Sequence, residues 1–258
     1  MRKSIHPQEK EIIMNQKHLT QEQIHSIRNS NRQSISAIGQ AWAELLQAQL
    51  PDLKGAKVLD AGCGTGFLAI LLSLLGAEVT ALDCSRSILE DARAHAEYHG
   101  AARNIHFCAA DAGDTGLPSD SFDAVVSRHT TALLTEPHEA YREWHRLLKP
   151  RGILLNFDAN WLSPLWSEEQ ARQFLEDEQE LKIHEAGYTD MYHDRFVLMK
   201  LSQYPLAFQE RPDWDCRVCR ELGFRDVTAE PLPNEGLLPP VLEKRFLSIP
   251  SFMIKAYK

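Results

Sequence analysis

The feature that most constrains the fold is a glycine-rich turn between a predicted strand and a predicted helix. Residues Val58–Gly66 read Val-Leu-Asp-Ala-Gly-Cys-Gly-Thr-Gly, and the apolar helix Phe67–Leu75 follows directly. Glycine permits positive φ angles and lets a ligand approach bare backbone, and the first amides of a helix offer hydrogen-bond donors nearby. The segment therefore predicts a ligand-binding strand–turn–helix unit at the start of an α/β domain.

Strands and helices alternate after this turn. Short buried strands are predicted at Lys57–Asp60, Glu78–Asp83, Asn104–Ala109, Phe122–Ser127 and Gly152–Phe157. Strands separated by helices in this order are typical of parallel βαβ units with right-handed crossovers. Two later segments, Arg225–Glu230 and Ser251–Tyr257, are expected to close the sheet. Ser87 with Glu90 predicts a capping box at the start of the helix after the second strand.

The domain organisation follows from where this alternation begins and ends. Residues 1–50 are predicted to form an N-terminal helical cap, with an amphipathic helix from Trp42 to Leu50. Residues 51–258 then form the main domain. The alternation fails between about 159 and 211, and a loop of that length inside a compact domain rarely lacks secondary structure. That span is therefore predicted to be a helical lid insertion.

Charge, apolar runs and cysteine content limit which binding partners and which cellular compartment are expected. The formal net charge of −8 does not attract phosphate backbones, so no nucleic acid partner is expected. The longest apolar run, Phe67–Leu75, is too short to span a bilayer, and no apolar run follows Arg2 and Lys3, so neither membrane association nor a secretory signal is expected. Five cysteines, an odd number, favour reduced thiols and the cytoplasm. Cys216 and Cys219 lack a second pair at zinc spacing, so no metal site is predicted. A monomer or a homodimer is expected.

Three acidic residues stand at successive strand ends. Asp60 precedes the glycine turn, where a carboxylate suits a cationic ligand better than a pyrophosphate; the alternative is that it caps the following helix. Asp83 ends the second strand, where a carboxylate can accept two hydrogen bonds from a ribose diol. Asp111 follows the third strand and is placed to accept from an adenine amino group, or else belongs to an Asp111–Asp114 turn. The order of glycine loop, acid and acid is more specific than any one part.

On these motifs the chain resembles the class I S-adenosylmethionine (SAM)-dependent methyltransferases. Five segments carry the resemblance: Val58–Gly66, Ala81–Ser85, Ala110–Ala112, Leu117–Asp123 and Leu147–Gly152. Arg151 stands where the family commonly has glycine, and Ser26–Gly39 offers no aromatic residue of the kind that often closes over the cofactor. The resemblance covers residues 55 to 158 strongly and the closing strands more weakly. It implies a Rossmann-like seven-stranded, mostly parallel sheet with an antiparallel last strand and helices on both faces.

The resemblance also implies SAM as cofactor, S-adenosylhomocysteine (SAH) as product, and a set of cofactor-binding residues. The set comprises Asp60, Gly62, Cys63, Gly64, Gly66, Asp83, Cys84, Ile88, Asp111, Ala112 and Arg128. Asp60 would lie near the sulfonium or the amino group, and Asp83 would hold the ribose hydroxyls. Asp111 with the Ala112 amide would read the adenine, whose faces Ile88 and Leu117 would cover.

The acceptor side is expected where the fourth and fifth strands end. His129 is predicted as a catalytic base, with hydrogen bonding to the cofactor or lid as the alternative. Arg128 either steers an anionic substrate or pairs with a nearby acid. Asp158 is predicted as the second catalytic group, since it and Asn160 can orient an amine or hydroxyl; helix capping is the alternative. The predicted substrate pocket contains His129, Asn160, Trp161, Tyr188 and Tyr192.

The activity predicted from these residues is methyl transfer to an N, O, S or C atom of a small molecule by in-line displacement. A non-catalytic SAM-binding regulator and a methyltransferase acting on a protein or peptide remain alternatives. A nucleotide-dependent oxidoreductase is disfavoured, because the third glycine, Gly66, comes one place too early for the dinucleotide fingerprint.

Overall fold

The computed structural model describes residues 35, 38–50, 52–161, 163–173, 175–176, 202–233, 236–238, 249 and 251–258. Their strands form one seven-stranded sheet in the order β3-β2-β1-β4-β5-β7-β6. The strands are β1 (Lys57–Ala61), β2 (Glu78–Asp83), β3 (Ile105–Ala109), β4 (Phe122–Arg128), β5 (Leu148–Ala159), β6 (Arg225–Leu232) and β7 (Ser251–Tyr257). Strands β1 to β5 pair in parallel, whereas β7 runs antiparallel to both β5 and β6. The predicted Rossmann-like fold is confirmed.

Helices cover both faces of this sheet. They are α1 (residues 38–49), α2 (Phe67–Leu74), α3 (Arg86–Tyr98), α4 (Pro137–Leu147) and α5 (Asp213–Glu221), and residues 168–173 are also helical. Helix α2 is apolar all round, and its residues from Phe67 to Ser73 are buried. No helix among the described residues has both the length and the apolarity that crossing a membrane requires.

Helix α3 begins two residues earlier than its predicted capping box. Ser85 occupies the N-cap position in extended backbone, and its hydroxyl accepts a hydrogen bond from the Ile88 amide at 3.4 Å. The prediction that Ser87 caps this helix is wrong, because Ser87 already lies within the first turn. Either serine satisfies the residue preference of an N-cap, so composition alone does not separate them.

Strand β5 is longer than predicted at both ends. Leu148 pairs with Phe122 on β4, and at the other end Asp158 pairs with Phe252 and Ala159 with Ser251 on β7. The antiparallel partner therefore continues the sheet past Phe157. This extension places Asp158 inside the sheet, 1% exposed, instead of in a loop beyond it.

Helix α1 packs on the same face of the sheet as α2, with Trp42 near the carboxyl end of β5. Trp42 is 2% exposed and meets Phe67 and Phe157 edge-on, with ring centroids 5.9 and 5.1 Å apart. Its indole donates to the Leu237 carbonyl at 2.8 Å. This confirms the helix predicted from Trp42 to Leu50, while residues 1–34 of the predicted cap lie outside the described residues.

The strand order reverses between β1 and β4, since β1 is followed on one side by β2 and on the other by β4. In open α/β sheets ligands bind at such a reversal, beyond the carboxyl ends of the strands. The glycine turn after β1 and the residues after β2, β3, β4 and β5 meet there. A wider open groove of about 700 Å³ lies at the opposite edge and contains none of the predicted site residues.

Candidate active site

The glycine turn after β1 is held against β2 by backbone hydrogen bonds. The amides of Gly62 and Cys63 both donate to the Leu82 carbonyl at 2.8 Å. Gly62 has a φ of +75°, and a side chain there would collide with Thr130. Gly64 has a φ of +52°, but a Cβ added there meets no atom within 4 Å. The turn is thus closely packed at Gly62 and open at Gly64, which leaves bare backbone facing free space.

Asp83 lies beside this turn, as its position at the end of β2 predicts. One of its carboxylate oxygens accepts from the Gly64 amide and the other from the Ser85 amide, both at 3.0 Å. A carboxylate oxygen accepts more than one hydrogen bond, so capacity remains for a ligand hydroxyl. Cys84 next to it is exposed, and Ile88 in the first turn of α3 is 37% exposed.

Asp60 is the buried acid of the site. Its side chain accepts from the Ala69 amide at 2.9 Å in the first turn of α2, so the helix-capping alternative is realised for one oxygen. No described residue hydrogen-bonds the other oxygen. Burial raises the pKa of Asp60 to about 7, although the nearby Arg128 charge acts in the opposite direction. A buried carboxylate with this pKa is stabilised by a cation.

Arg128 ends β4 and does not form the expected ion pair with an acid within the described residues. Its guanidinium packs instead over the rings of Phe67 and Trp42, with centroid distances of 4.2 and 4.9 Å. Burial lowers the pKa of Arg128 to about 10, and no residue in the described part of the chain hydrogen-bonds its buried Nε. The sequence did not predict this contact, because nothing near Arg128 in the chain indicates which aromatic rings pack against its guanidinium.

A small cavity of about 60 Å³ joins these charged groups to the glycine turn. Its walls combine one acid, one arginine, the turn backbone and apolar side chains: Asp60, Gly62, Cys63, Phe67, Leu68, Arg128 and His129. The buried Cys63 thiol has a raised pKa owing chiefly to burial, so it is an inert wall of this cavity. A group carrying both a positive and a negative charge matches this lining.

Asp111 follows β3 and lies in the turn that was its alternative. Its side chain accepts from the Gly113 amide at 2.7 Å, and its carbonyl accepts from the Asp114 amide at 3.3 Å. The carboxylate is nevertheless exposed at the same edge as Asp83. The adjacent Ala112 is buried, so its methyl group points into the protein.

His129 and Trp161 are brought together on the acceptor side. His129 has a φ of +55°, and its amide donates to the Phe157 carbonyl at 2.8 Å. The two rings stand edge to face, 4.8 Å apart. Burial and the neighbouring Arg128 charge lower the pKa of His129, so its ring is neutral near pH 7. Asn160 between them in the chain is 9% exposed. Tyr188 and Tyr192 lie outside the described residues.

The environment of Asp158 contradicts its predicted catalytic role. One carboxylate oxygen accepts from the Trp161 indole at 2.7 Å and from the Ala159 amide at 2.9 Å. The other accepts from the Thr131 hydroxyl, from the Ala132 amide at 3.3 Å and from Arg211 at 2.9 Å. Although burial opposes ionisation, the Arg211 charge and these hydrogen bonds lower the pKa of Asp158. A buried carboxylate with every acceptor site occupied cannot take up a substrate proton.

The family model for a methyltransferase domain matches residues 52–204, which is more than half of the 258 residues. The chain therefore belongs to the methyltransferase-domain family, and the class of SAM-dependent methyltransferases recognised from its motifs is confirmed.

Two curated relatives are methyltransferases that match only part of the chain. The malonyl-(acyl-carrier protein) O-methyltransferase of Enterobacter lignolyticus (strain SCF1) is 37% identical over 112 residues, which cover 43% of this chain and 42% of that protein. The ubiquinone biosynthesis O-methyltransferase of Xanthomonas oryzae pv. oryzae (strain PXO99A) is 34% identical over 125 residues, 46% of this chain and 49% of that one. The chain thus spans about half the length of these relatives.

Among solved structures, the 4+2 cyclase SpnF has a TM-score of 0.54 and 19% identity, covering 84% of this chain and 80% of its own. At this identity the likeness concerns the fold alone. A cyclase on this fold also illustrates that the reaction must be argued from the residues of the site.

Proposed function

We propose that the protein binds SAM at the carboxyl edge of β1, β2 and β3 and transfers its methyl group to a small molecule. The observation that carries the proposal is one cavity beside the glycine turn that is lined by both the buried acid Asp60 and Arg128, an arginine whose Nε has no hydrogen-bond partner among the described residues. A ligand with an amino-acid end neutralises both groups at once. Such a ligand relieves the cost that burial imposes on each of these charges.

The residues also suit the nucleoside portion of this cofactor. The open space over Gly64 admits a ribose, and Asp83 keeps acceptor capacity for the ribose diol. Asp111 and the Ala112 amide are assigned to the adenine edge, and the exposed Ile88 and half-buried Leu117 to its faces. Gly66, Cys63 and Cys84 complete the predicted set as turn backbone and wall.

When bound, SAM supplies an electrophilic methyl group on a sulfonium. The protein holds donor and acceptor in line and excludes water. Together these effects lower the reaction barrier by up to about 7–11 kcal/mol in favourable cases. The lowered pKa of His129 makes its neutral ring a weak base, but the ring can still accept a hydrogen bond from the acceptor. With Asp158 occupied internally, His129 is the remaining candidate for that role among the predicted catalytic residues.

The acceptor is assigned to the space bounded by His129, Asn160 and Trp161, with the 159–211 segment as a lid and residues 1–50 as a cap. A small-molecule acceptor is favoured by the acidic net charge of −8 and by the relative named for ubiquinone biosynthesis. The relative named for malonyl-(acyl-carrier protein) keeps a protein-bound acceptor as the second candidate. A monomer or homodimer in the cytoplasm completes the proposal.

Cysteine labelling tests cofactor binding without knowledge of the acceptor. Of the five cysteines, Cys84 is exposed, Cys108 is half-buried and the other three are buried. We expect SAH at about 100 times its Kd to slow the reaction of Cys84 with a maleimide by at least about tenfold, because Cys84 follows Asp83 directly. Mass spectrometry of the labelled peptide measures the rate.

Two asparagine variants make that experiment specific. Asp83→Asn should raise the SAH Kd by about 100-fold, since it removes charge-assisted bonds worth about 1.5–3 kcal/mol each. The same SAH concentration then half-saturates the variant, so protection at Cys84 should fall to about twofold. Asp123→Asn is the matched control, because Asp123 likewise accepts from a backbone amide, that of Lys57, but at the opposite edge of the sheet. Undiminished SAH binding by Asp83→Asn in calorimetry, or no binding by the wild type, contradicts the proposal.

The substitution Arg128→Gln tests whether Arg128 binds the amino-acid end of the cofactor or its nucleoside end. We expect SAH binding to weaken by about 10- to 100-fold, because the glutamine cannot offer a charged pair to a carboxylate. 5′-Methylthioadenosine lacks the amino-acid end, so its affinity should change by less than about threefold. Equal losses for both ligands in calorimetry would assign Arg128 to the structure of the site instead of to a ligand carboxylate.

A further inference from the structure

Arg211 is a fully buried arginine that lies between two carboxylates. Its side chain is 1% exposed, and the side chains of Asp158 and Asp215 are 0% exposed. Its Nε and one terminal nitrogen donate to the two oxygens of Asp215 at 2.9 and 2.8 Å. Its other terminal nitrogen donates to Asp158 at 2.9 Å. One cation thus holds two anions inside the protein.

The remaining hydrogen bonds of this cluster stabilise both carboxylates. Tyr141 donates to Asp215 at 2.7 Å, and Asn156 donates to the Tyr141 hydroxyl at 2.7 Å. Arg211 also donates to the Thr131 hydroxyl at 2.6 Å, and that hydroxyl in turn donates to Asp158. Although burial acts against it, the charges of Asp158 and Asp215 raise the pKa of Arg211, so it stays charged. A planar guanidinium suits this fork of partners better than an ammonium does.

The two carboxylates lead to different parts of the molecule. Asp215 lies in α5 and bonds to Tyr141 of α4, so this arm ties helices together. Asp158 is the second-last residue of β5, and the oxygen that does not contact Arg211 accepts from the Trp161 indole. Trp161 in turn stands against the ring of His129. The second arm therefore ends at the acceptor side of the site.

The Asp158–Arg211 ion pair also connects two distant positions in the chain. Asp158 lies just before the 159–211 segment, and Arg211 closes it, so their ion pair joins the two ends of that segment at its base. Because Asp158 is ionised, it is only an acceptor and fixes the indole by taking its N–H. The Trp161 indole is thus linked, through Asp158, to a charge 50 residues further along the chain.

We infer that Arg211 is a positioning residue for the acceptor pocket: through Asp158 it holds the Trp161 indole, and with it the His129 ring. The inference rests on the proposed function, since that assigns Trp161 and His129 to the acceptor. It extends that function because Arg211 would help to shape the acceptor pocket without lining it, from the end of the 159–211 segment. Removing the guanidinium takes away the charged partner of Asp158. Thr131, Ala132 and Ala159 still donate to its carboxylate, but the acceptor of the Trp161 indole is then less firmly held.

Proton NMR of the indole N–H groups tests this inference on the whole protein. Five tryptophans give five indole signals, and Trp161→Phe identifies one of them while keeping a ring against His129. In Arg211→Lys we expect hydrogen exchange of the Trp161 indole to accelerate at least about tenfold. The Trp42 indole, which donates to Leu237 on another part of the fold, is the internal control and should be unchanged. The His129 ring signals, identified with His129→Gln, should shift as well.

Two results would overturn the inference. One is unchanged exchange at Trp161 in Arg211→Lys. The other is equal acceleration at Trp161 and Trp42, which means general loosening. If Arg211→Lys does not fold, Asp158→Asn takes its place with the same expectation for Trp161. Calorimetry with SAH gives a separate answer on the proposed function: affinity should stay within about threefold of wild type, since Arg211 contacts none of the cofactor residues. Wild-type protein that binds no SAH would refute that function and leave the indole result intact.

Discussion

Replacing Asp60 with asparagine should make the ligand-free protein more stable above pH 7 and weaken its binding of SAH by at least about tenfold. The Asp60 side chain is 1% exposed, and burial raises its pKa to about 7. In the unfolded chain the same carboxyl has a pKa near 4. Ionised Asp60 therefore costs the folded protein stability that a neutral amide of the same shape does not cost.

The direction of the pH dependence follows from these two values. Between about pH 4 and pH 7 the unfolded chain has released the proton that the folded protein still holds, so the free energy of unfolding falls as the pH rises. Above about pH 7 both states are ionised and the loss levels off. Its full size is on the order of 4 kcal/mol, at about 1.4 kcal/mol for each unit between the two pKa values. The advantage of Asp60→Asn should therefore grow from pH 5 to pH 8.

The substitution changes the charge and little else. The side chain of Asp60 accepts from the Ala69 amide, and the amide oxygen of asparagine can accept the same bond. The charges that act on Asp60 are Arg128, which favours its ionisation, and Asp83, which opposes it. A bound ammonium group adds a second favourable charge. The cofactor therefore stabilises wild-type protein by an amount that the variant loses.

Thermal unfolding between pH 5 and pH 8.5, with and without saturating SAH, measures both effects. Methylthioadenosine serves as the control ligand, because it lacks the ammonium group and should bind the two proteins alike. A difference in Tm that does not change with pH would show that Asp60 does not titrate in this range. Equal SAH affinity in both proteins would remove Asp60 from the cofactor site.

The half of the candidate site that β1, β2 and β3 form is predictable because its residues belong to consecutive βα turns. A buried strand, a glycine turn and a helix start are local patterns, and parallel strands put their carboxyl ends at one edge. The Gly64 amide therefore donates to the Asp83 carboxylate, with 3.0 Å between nitrogen and oxygen, as the order of the motifs indicates. The strand ends needed only small corrections, such as the two residues by which β5 continues past Phe157.

Those two residues explain the error at Asp158. A polar residue after an apolar strand has the same pattern whether it ends in a loop or lies within the sheet. The pairing of Asp158 with Phe252 comes from β7, far along the chain, and its counter-charge comes from Arg211. A single arginine before a proline carries no periodic or motif signal, so the cluster was invisible before the fold brought it together.

Arg128 illustrates the same limit on the cofactor side. Pairing with a nearby acid was expected from its charge, but the structure places it over the Phe67 and Trp42 rings. The segment Ser26–Gly39 has no aromatic residue, whereas Trp42 of α1 comes slightly later and lies under the Arg128 guanidinium. Which residue of an amphipathic helix faces a site depends on how the helix packs, and periodicity alone does not determine that.

Exchanging Gly64 for alanine should weaken SAH binding by at least about 100-fold while leaving the protein folded. Its φ of +52° makes alanine strained by about 1–2 kcal/mol, which lowers the Tm by about 2–8 °C in a domain of this size. The added methyl group meets no protein atom within 4 Å, so it points into the space assigned to the cofactor. Loss of the close approach to the backbone should raise the SAH Kd by at least about 100-fold.

Gly100→Ala is the matched control for this substitution. Gly100 has a φ of +70°, follows α3, and likewise has no atom within 4 Å of an added Cβ. Backbone strain is therefore similar in the two variants, and only Gly64 lies on the turn beside Asp83. Gly62 would not serve, because its Cβ collides with Thr130 and a folding defect would obscure the result. If both alanine variants lose the same few degrees of Tm and bind SAH equally in calorimetry, the space above Gly64 does not hold the cofactor.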